Sequence, residues 1–151
     1  MKVALVASTG GHLSELLRLS AAWRGHECVF VTTGTFEAAM LARTFGGRAY
    51  AVREGNRCHP ARMARMLWQC ARIVVRERPA VVVSTGAAPG CLVGAIGKAL
   101  GARVVWIDSI ANVERPSLSG RIVRRFADLF LVQWPHLAER YIGAECVGEL
   151  V

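Results

Sequence analysis

The stretch KVALVASTGGHLSELL, Lys2 to Leu17, decides how the rest of the chain is read. Val3 to Ala7 is an apolar run of strand length, and Ser8, Thr9, Gly10 and Gly11 break it. Leu13, Leu16 and Leu17 then recur at helical spacing. Strand, glycine turn and helix in that order are the first half of a β-α-β unit. His12 stands at the junction, next to backbone amides with no side chain over them.

Outward from this stretch the pattern repeats. Residues Val3–Ala7, Glu27–Thr32, Arg48–Val52, Ala80–Ser84, Arg103–Ile107 and Leu129–Gln133 read as strands. Leu13–Trp23, Phe36–Phe45, Pro60–Arg78, Gly90–Leu100, Ser119–Phe126 and His136–Ile142 carry helical periodicity. Near-continuous apolar strands with helical crossovers specify an α/β, Rossmann-like parallel sheet with helices on both faces. Repeats, low-complexity tracts and linkers are absent, so residues 1–151 read as a single domain. Ligands of such sheets bind beyond the carboxyl ends of the strands. The segments STGGH, TTGTFE, REGNRCHP, STGAAPG, DSIANVERPSLSG and QWPHL therefore matter most.

The composition narrows the partners. A hydrophobic content of 53% with 20% charged residues excludes a disordered chain. The net charge of +8 and the pI near 10.1 call for an anionic partner. The five cysteines form no Cys-x-x-Cys pair and no metal-ligand spacing with histidine, which predicts a reduced, intracellular protein without disulfides or zinc. Cys28, Cys70 and Cys91 fall in apolar segments, as small core residues do. No signal peptide is expected from the first residues. The most apolar stretch, Ala87 to Ile107, contains Pro89, Lys98, Arg103 and four glycines, so any membrane contact is expected to be peripheral.

Two of the loops are near twins: STGGH after the first strand and STGAAPG, Ser84 to Gly90, after the fourth. Gly10, Gly11, Ser84, Thr85, Gly86 and Gly90 are expected to cradle a phosphate or diphosphate, with backbone N–H groups and helix dipoles facing the anion. The competing reading is a pair of tight turns capped by Ser or Thr. Dinucleotide and P-loop signatures are missing: the first loop lacks Gly-x-Gly-x-x-Gly, Thr32–Thr33 end the second strand, and GAIGK has Ala99 in place of Ser/Thr. His12, at a helix start, is expected to be neutral and able to hydrogen-bond a phosphate. Asp108 ends the fifth strand, where a carboxylate acts as a base, orients a hydroxyl, or caps the next loop. Glu15 and Glu37 lie in first helical turns, where the dipole accounts for them.

The helix PARMARMLWQCARIVVRERP, Pro60 to Pro79, sets Arg62, Arg65, Gln69, Arg72 and Arg76 on one face, with Met63, Leu67, Cys70 and Val74 opposite. No acid interrupts it before Glu77. One reading is a solvated outer face; the other is an arginine stripe facing anionic lipid headgroups. Nucleic acid is not expected, because no aromatic-interleaved basic motif accompanies the stripe.

The segment WIDSIANVERPSLSGRIVRRFADLFLVQWPHL, Trp106 to Leu137, resembles the oligosaccharide-biosynthesis family related to asparagine-linked glycosylation protein fourteen, including PssD- and CpsF-like proteins of bacterial polysaccharide assembly. The pattern is acid-Ser-Ile after a strand, Ser-Leu-Ser-Gly opening a helix, and a strand ending in Val-Gln-Trp-Pro. With GGHLSELL and STGAAPG the resemblance spans nearly the whole chain. The family pattern carries Glu where Asp108 stands. The resemblance implies the N-terminal half of a split GT-B glycosyltransferase (a hexosyltransferase), similar in architecture to the fused MurG-type transferase. It implies a membrane-side chain that binds a polyprenyl-diphosphate-linked saccharide acceptor. A separate donor-binding subunit would hold most of the UDP-sugar, with no cofactor or metal. On this reading Gly10, Gly11 and His12 face the acceptor diphosphate, Asp108 or His12 deprotonates the attacking hydroxyl, and Arg62, Arg65, Arg72 and Arg76 contact the membrane. The expected place is the cytoplasm, peripheral on the inner face of the plasma membrane. The alternatives are a non-catalytic membrane scaffold that recruits the donor-binding chain, or a stand-alone nucleotide- or RNA-binding domain.

Overall fold

The computed structural model describes residues 1–55, 58–146 and 148. The elements run β1 (Lys2–Val6), α1 (Gly11–Arg18), a 3-10 turn (Ser20–Trp23), β2 (Glu27–Thr32), α2 (Thr35–Phe45), β3 (Arg48–Ala51) and α3 (Pro60–Glu77). They continue with β4 (Val81–Ser84), α4 (Ala87–Ala99), β5 (Arg103–Ile107), α5 (Leu118–Val123), β6 (Leu129–Leu131), α6 (Pro135–Arg140) and β7 (Ala144–Glu145). Among the described residues seven strands join one parallel sheet in the order β3-β2-β1-β4-β5-β6-β7. The Rossmann-like fold expected from the strand and helix pattern is the fold observed.

The differences are local. The segment Leu13–Trp23 is a helix only to Arg18 and finishes as the 3-10 turn, which buries Trp23. Helix α4 starts at Ala87, three residues earlier than expected. Pro89 sits in its first turn, where proline is tolerated because no intrahelical N–H bond is lost. Strand β7 was not expected: at two residues it is too short to carry a pattern, and it exists through pairing with Phe130 and Leu131.

Helices α3, α4 and α5 cover one face, where Val6, Val31, Val82, Met66, Cys70, Val74 and Val93 form one core cluster. On the other face Leu13, Leu16, Trp23 and Leu41 pack on Val3, Leu5 and Phe30. That second layer stops short of β5 and β6. Val81, Val83, Val105, Ile107 and Leu131 there line an open apolar groove of about 360 Å³. Burial raises the thiols of Cys28 and Cys91 and pushes Cys70 up to about 12, as for core residues.

Candidate acceptor site at the carboxyl edge of the sheet

Strand order reverses between β1 and β4, the place where open α/β sheets form a crevice. The twin loops meet there through each other's backbone. His12 Nδ1 lies 3.0 Å from the Thr85 carbonyl oxygen, and Thr85 Oγ1 donates to the His12 carbonyl at 2.6 Å. A carbonyl only accepts, so Nδ1 carries the proton of this bond, and in the neutral ring Nε2 keeps its lone pair.

The glycines of the two loops have different duties. Gly86 has φ +146°, and its bare Cα makes room for the His12 ring. Gly90 lies against Ser84, whose hydroxyl accepts from the Gly86 amide at 3.2 Å. Ser84, Thr85 and Gly90 are buried and shape the turn from within. Gly10 and Gly11 are exposed at the start of α1. Ala87, a non-glycine residue at φ +67°, opens α4 without a side-chain cap.

Beside this junction lies a cavity of about 810 Å³. Its polar lining includes His12, Glu54, Arg62, Ser117 and Ser119, and Ala87 and Ala88 bring the positive end of α4 to it. Met63, Leu92, Leu118 and Ile122 form an apolar wall. The cavity thus offers both hydrogen-bond donors and apolar side chains, with the Glu54 carboxylate beside the Arg62 guanidinium among its charged groups. The loop REGNRCHP contributes Glu54 and Gly55; its residues 56 and 57 lie outside the described ones.

Asp108 does not line this cavity. It is 2% exposed and both carboxylate oxygens are occupied. Oδ1 accepts from Trp106 Nε1 and Ser117 Oγ, each at 3.0 Å; Oδ2 accepts from Asn112 Nδ2 at 3.0 Å and the Ser117 amide at 3.2 Å. Ser117 in turn caps α5 by accepting from the Gly120 amide. Four donors use a carboxylate's four lone-pair sites, so Asp108 fixes the loop that supports the Ser117–Ile122 wall. Glu15, expected in the first turn of its helix, lies beyond it, since α1 starts at Gly11, and reaches that same loop: Oε1 accepts from Ser109 Oγ at 2.7 Å and the Ile110 amide at 3.3 Å. Its other oxygen lies 3.7 Å from His12 Nδ1. A partner 94 residues away leaves no local pattern, so only the fold reveals it.

Helix α3 presents Arg62, Arg65, Arg72 and Arg76 at its surface, with Arg62 turned to the cavity lining. The buried stripe is Met66, Cys70, Ile73, Val74 and Glu77. Leu67, expected opposite the arginines in the core, is instead 46% exposed, because it lies about 100° round the helix from Met66. Trp68 at 62% and Val75 at 54% are also exposed, and Arg72 stacks over the Trp68 ring at 5.4 Å. The outward surface is therefore apolar with arginines along its flank. Gln69, expected in the stripe, is half-buried and accepts from the Arg53 amide. No described helix is long and apolar enough to cross a membrane.

Glu77 closes α3 against the sheet. Burial would raise its carboxyl, but hydrogen bonds from Tyr50, Arg48 and Lys2 outweigh it and hold it at about 2.

The family described as "Oligosaccharide biosynthesis protein Alg14 like" matches residues 31–150. The mouse UDP-N-acetylglucosamine transferase subunit ALG14 is 28% identical over 100% of this chain and 83% of its own. The human ALG14 subunit is 27% identical with the same coverage, and the Schizosaccharomyces pombe subunit is 44% identical over 46% of this chain and 36% of its own. Among solved structures, Acinetobacter baumannii MurG superposes with TM-score 0.75 at 17% identity over 98% of this chain. Neisseria meningitidis UDP-GlcNAc 2-epimerase gives 0.70 at 10% identity over 99%. The chain spans under half of each, 45% and 47%, and the likeness is one of fold: this chain matches one Rossmann-like half of a larger architecture. With the matched segment covering most of its length, the chain belongs to the Alg14-like oligosaccharide biosynthesis family.

Proposed function

We propose that this chain is the acceptor-side subunit of a two-chain, UDP-sugar-dependent glycosyltransferase that extends a polyprenyl-diphosphate-linked saccharide. The observation that carries the proposal is the His12–Thr85 junction beside a cavity of mixed polar and apolar lining. A lipid-linked diphosphate calls for both kinds of lining. Arg62 and the start of α4 suit its phosphates, and Met63, Leu92, Leu118 and Ile122 suit the first isoprene units.

In the reaction the acceptor hydroxyl oxygen attacks the anomeric carbon of the UDP-sugar. The carbon–oxygen bond to UDP breaks, UDP leaves with the electron pair, and the hydroxyl proton passes to a base. His12 Nε2 is our choice of base, since Thr85 fixes the opposite nitrogen as a donor. Asp108, with its lone pairs engaged, holds the loop instead. The names of the mammalian relatives make UDP-N-acetylglucosamine the first donor to try, and a second, donor-binding chain would supply the other half of the architecture.

The exposed Leu67, Trp68 and Val75 beside Arg65, Arg72 and Arg76 support peripheral attachment to an anionic membrane on its cytoplasmic face. The test is co-expression with a donor-binding chain and assay with UDP-N-acetylglucosamine and a short polyprenyl-diphosphate-sugar. Transfer that needs both chains and is crippled by His12→Ala is the expected result. Complex formation with no transfer to any donor would favour a scaffold.

A further inference from the structure

We propose that Glu15 is a positioning residue for the transfer reaction, acting through His12 and locked by the Ser109–Ile110 segment. The inference rests on the reading of His12 as the base. Thr85 gives His12 one fixed hydrogen bond, but a single bond leaves an imidazole free to pivot about it. Glu15 supplies the second constraint, with Oε2 3.7 Å from Nδ1, one helical turn along α1. At that distance it contributes charge rather than a formed hydrogen bond. When the ring takes up the acceptor's proton, that negative charge faces the positive one directly.

A carboxylate on a flexible side chain could do this only if held, and it is held. Ser109 Oγ and the Ile110 amide both donate to Oε1, so Oε2 is left for the histidine. Ser109 follows Asp108, whose four donors pin the same loop to Trp106, Asn112 and Ser117. The arrangement is a relay of support: Asp108 sets the loop, the loop sets Glu15, and Glu15 sets the base. A carboxylate needed only for the α1 dipole would have no use for two donors from beyond β5.

One test needs no sugar transfer. Side-chain NMR of the isolated chain should show a strong NOE from the His12 ring Hε1 to the Gly86 Hα protons, and Glu15→Ala should weaken it while the Nδ1-protonated tautomer stays. An unchanged NOE in Glu15→Ala would mean that Thr85 alone orients the ring and would overturn the proposal. The second test uses the two-chain complex with UDP-N-acetylglucosamine and a polyprenyl-diphosphate-sugar. Glu15→Gln keeps the Ser109 bond but removes the charge, and should lower kcat roughly 10- to 100-fold with acceptor KM and melting temperature nearly unchanged. Glu15→Asp should recover part of the loss. In a His12→Ala background Glu15→Gln should cost almost nothing more, since both act as a unit. An equal loss in that background, or full activity of Glu15→Gln, would overturn the relay. Wild-type transfer by His12→Ala alone would instead bring down the assignment of the base, whatever the NMR shows.

Discussion

The imidazole of His12 rests on the bare Cα of Gly86: a Cβ added there would lie 2.4 Å from Cε1 and 2.6 Å from Nδ1. Gly86→Ala therefore collides with the ring and also strains a backbone at φ +146°. The expected outcome is a fall in transfer of about 100-fold, comparable to loss of the proposed base, with some loss of stability. Steady-state kinetics of the complex beside His12→Ala checks it; near-wild-type kcat would show the ring has room to move.

Gly11 gives the opposite control. It has no positive φ and a Cβ there meets nothing within 4 Å, so Gly11→Ala should fold as well as wild type. Any drop in transfer would then report ligand approach to this turn. Paired melting and acceptor-KM measurements separate the two, and unchanged KM would place the diphosphate away from Gly11.

Asp108→Asn replaces an acceptor oxygen with an NH₂ group among the donors Trp106, Ser117 and Asn112. Opposed donors at a buried site should cost about 1–3 kcal/mol, several degrees of melting temperature. A group acting only as base predicts full stability and lost turnover. Thermal unfolding of the purified variant distinguishes them.

Glu77 predicts a pH signature. Its carboxyl falls from an ordinary 4.5 to about 2, so its contribution is complete above pH 4.5 and is lost as pH falls through 2. The shift corresponds to about 3 kcal/mol at most. Urea unfolding at pH 3 and pH 6 should show the wild-type loss, and Glu77→Gln should flatten it.

The proposed membrane surface makes two separable predictions. Arg65→Glu with Arg72→Glu should weaken binding to anionic vesicles by about 1 kcal/mol per removed arginine, most visibly at low salt. Trp68→Ala should weaken it at any salt, because apolar insertion is not screened. Co-sedimentation with phosphatidylglycerol vesicles reads both, and unchanged binding would move the contact to another face.

The fold was legible because each β-α step writes its own period: Val3–Ala7 before Leu13, Leu16 and Leu17 suffices for one crossover. The twin glycine loops were legible as strand-to-helix turns for the same reason, while their contact through His12 and Thr85 was not. What the sequence could not display was which groups face inward. Ser84 and Thr85 look like ligand hydroxyls until burial turns them toward the turn itself. Glu15 looks like a dipole partner until Ser109, from the loop after β5 two strands away, arrives beside it. Leu67 looks like core because one residue of rotation separates a buried stripe from an exposed one. Val81, Val83 and Val105 look doubly buried, because an apolar strand reads alike whether or not a second layer covers it.

The central place of β1 has a consequence for how the chain is made. Of the seven described strands β1 is made first, yet it is flanked by β2 on one side and β4 on the other, so its second edge stays open until residue 84 has been synthesised. Closing that distance carries the largest entropy cost in the first half of the chain. The His12–Thr85 bonds lie just past the last β1–β4 pair, Val6 with Ser84. Pairing β1 with β4 therefore brings His12 and Thr85 together, and a nascent chain that stops before residue 85 lacks the partner for both bonds.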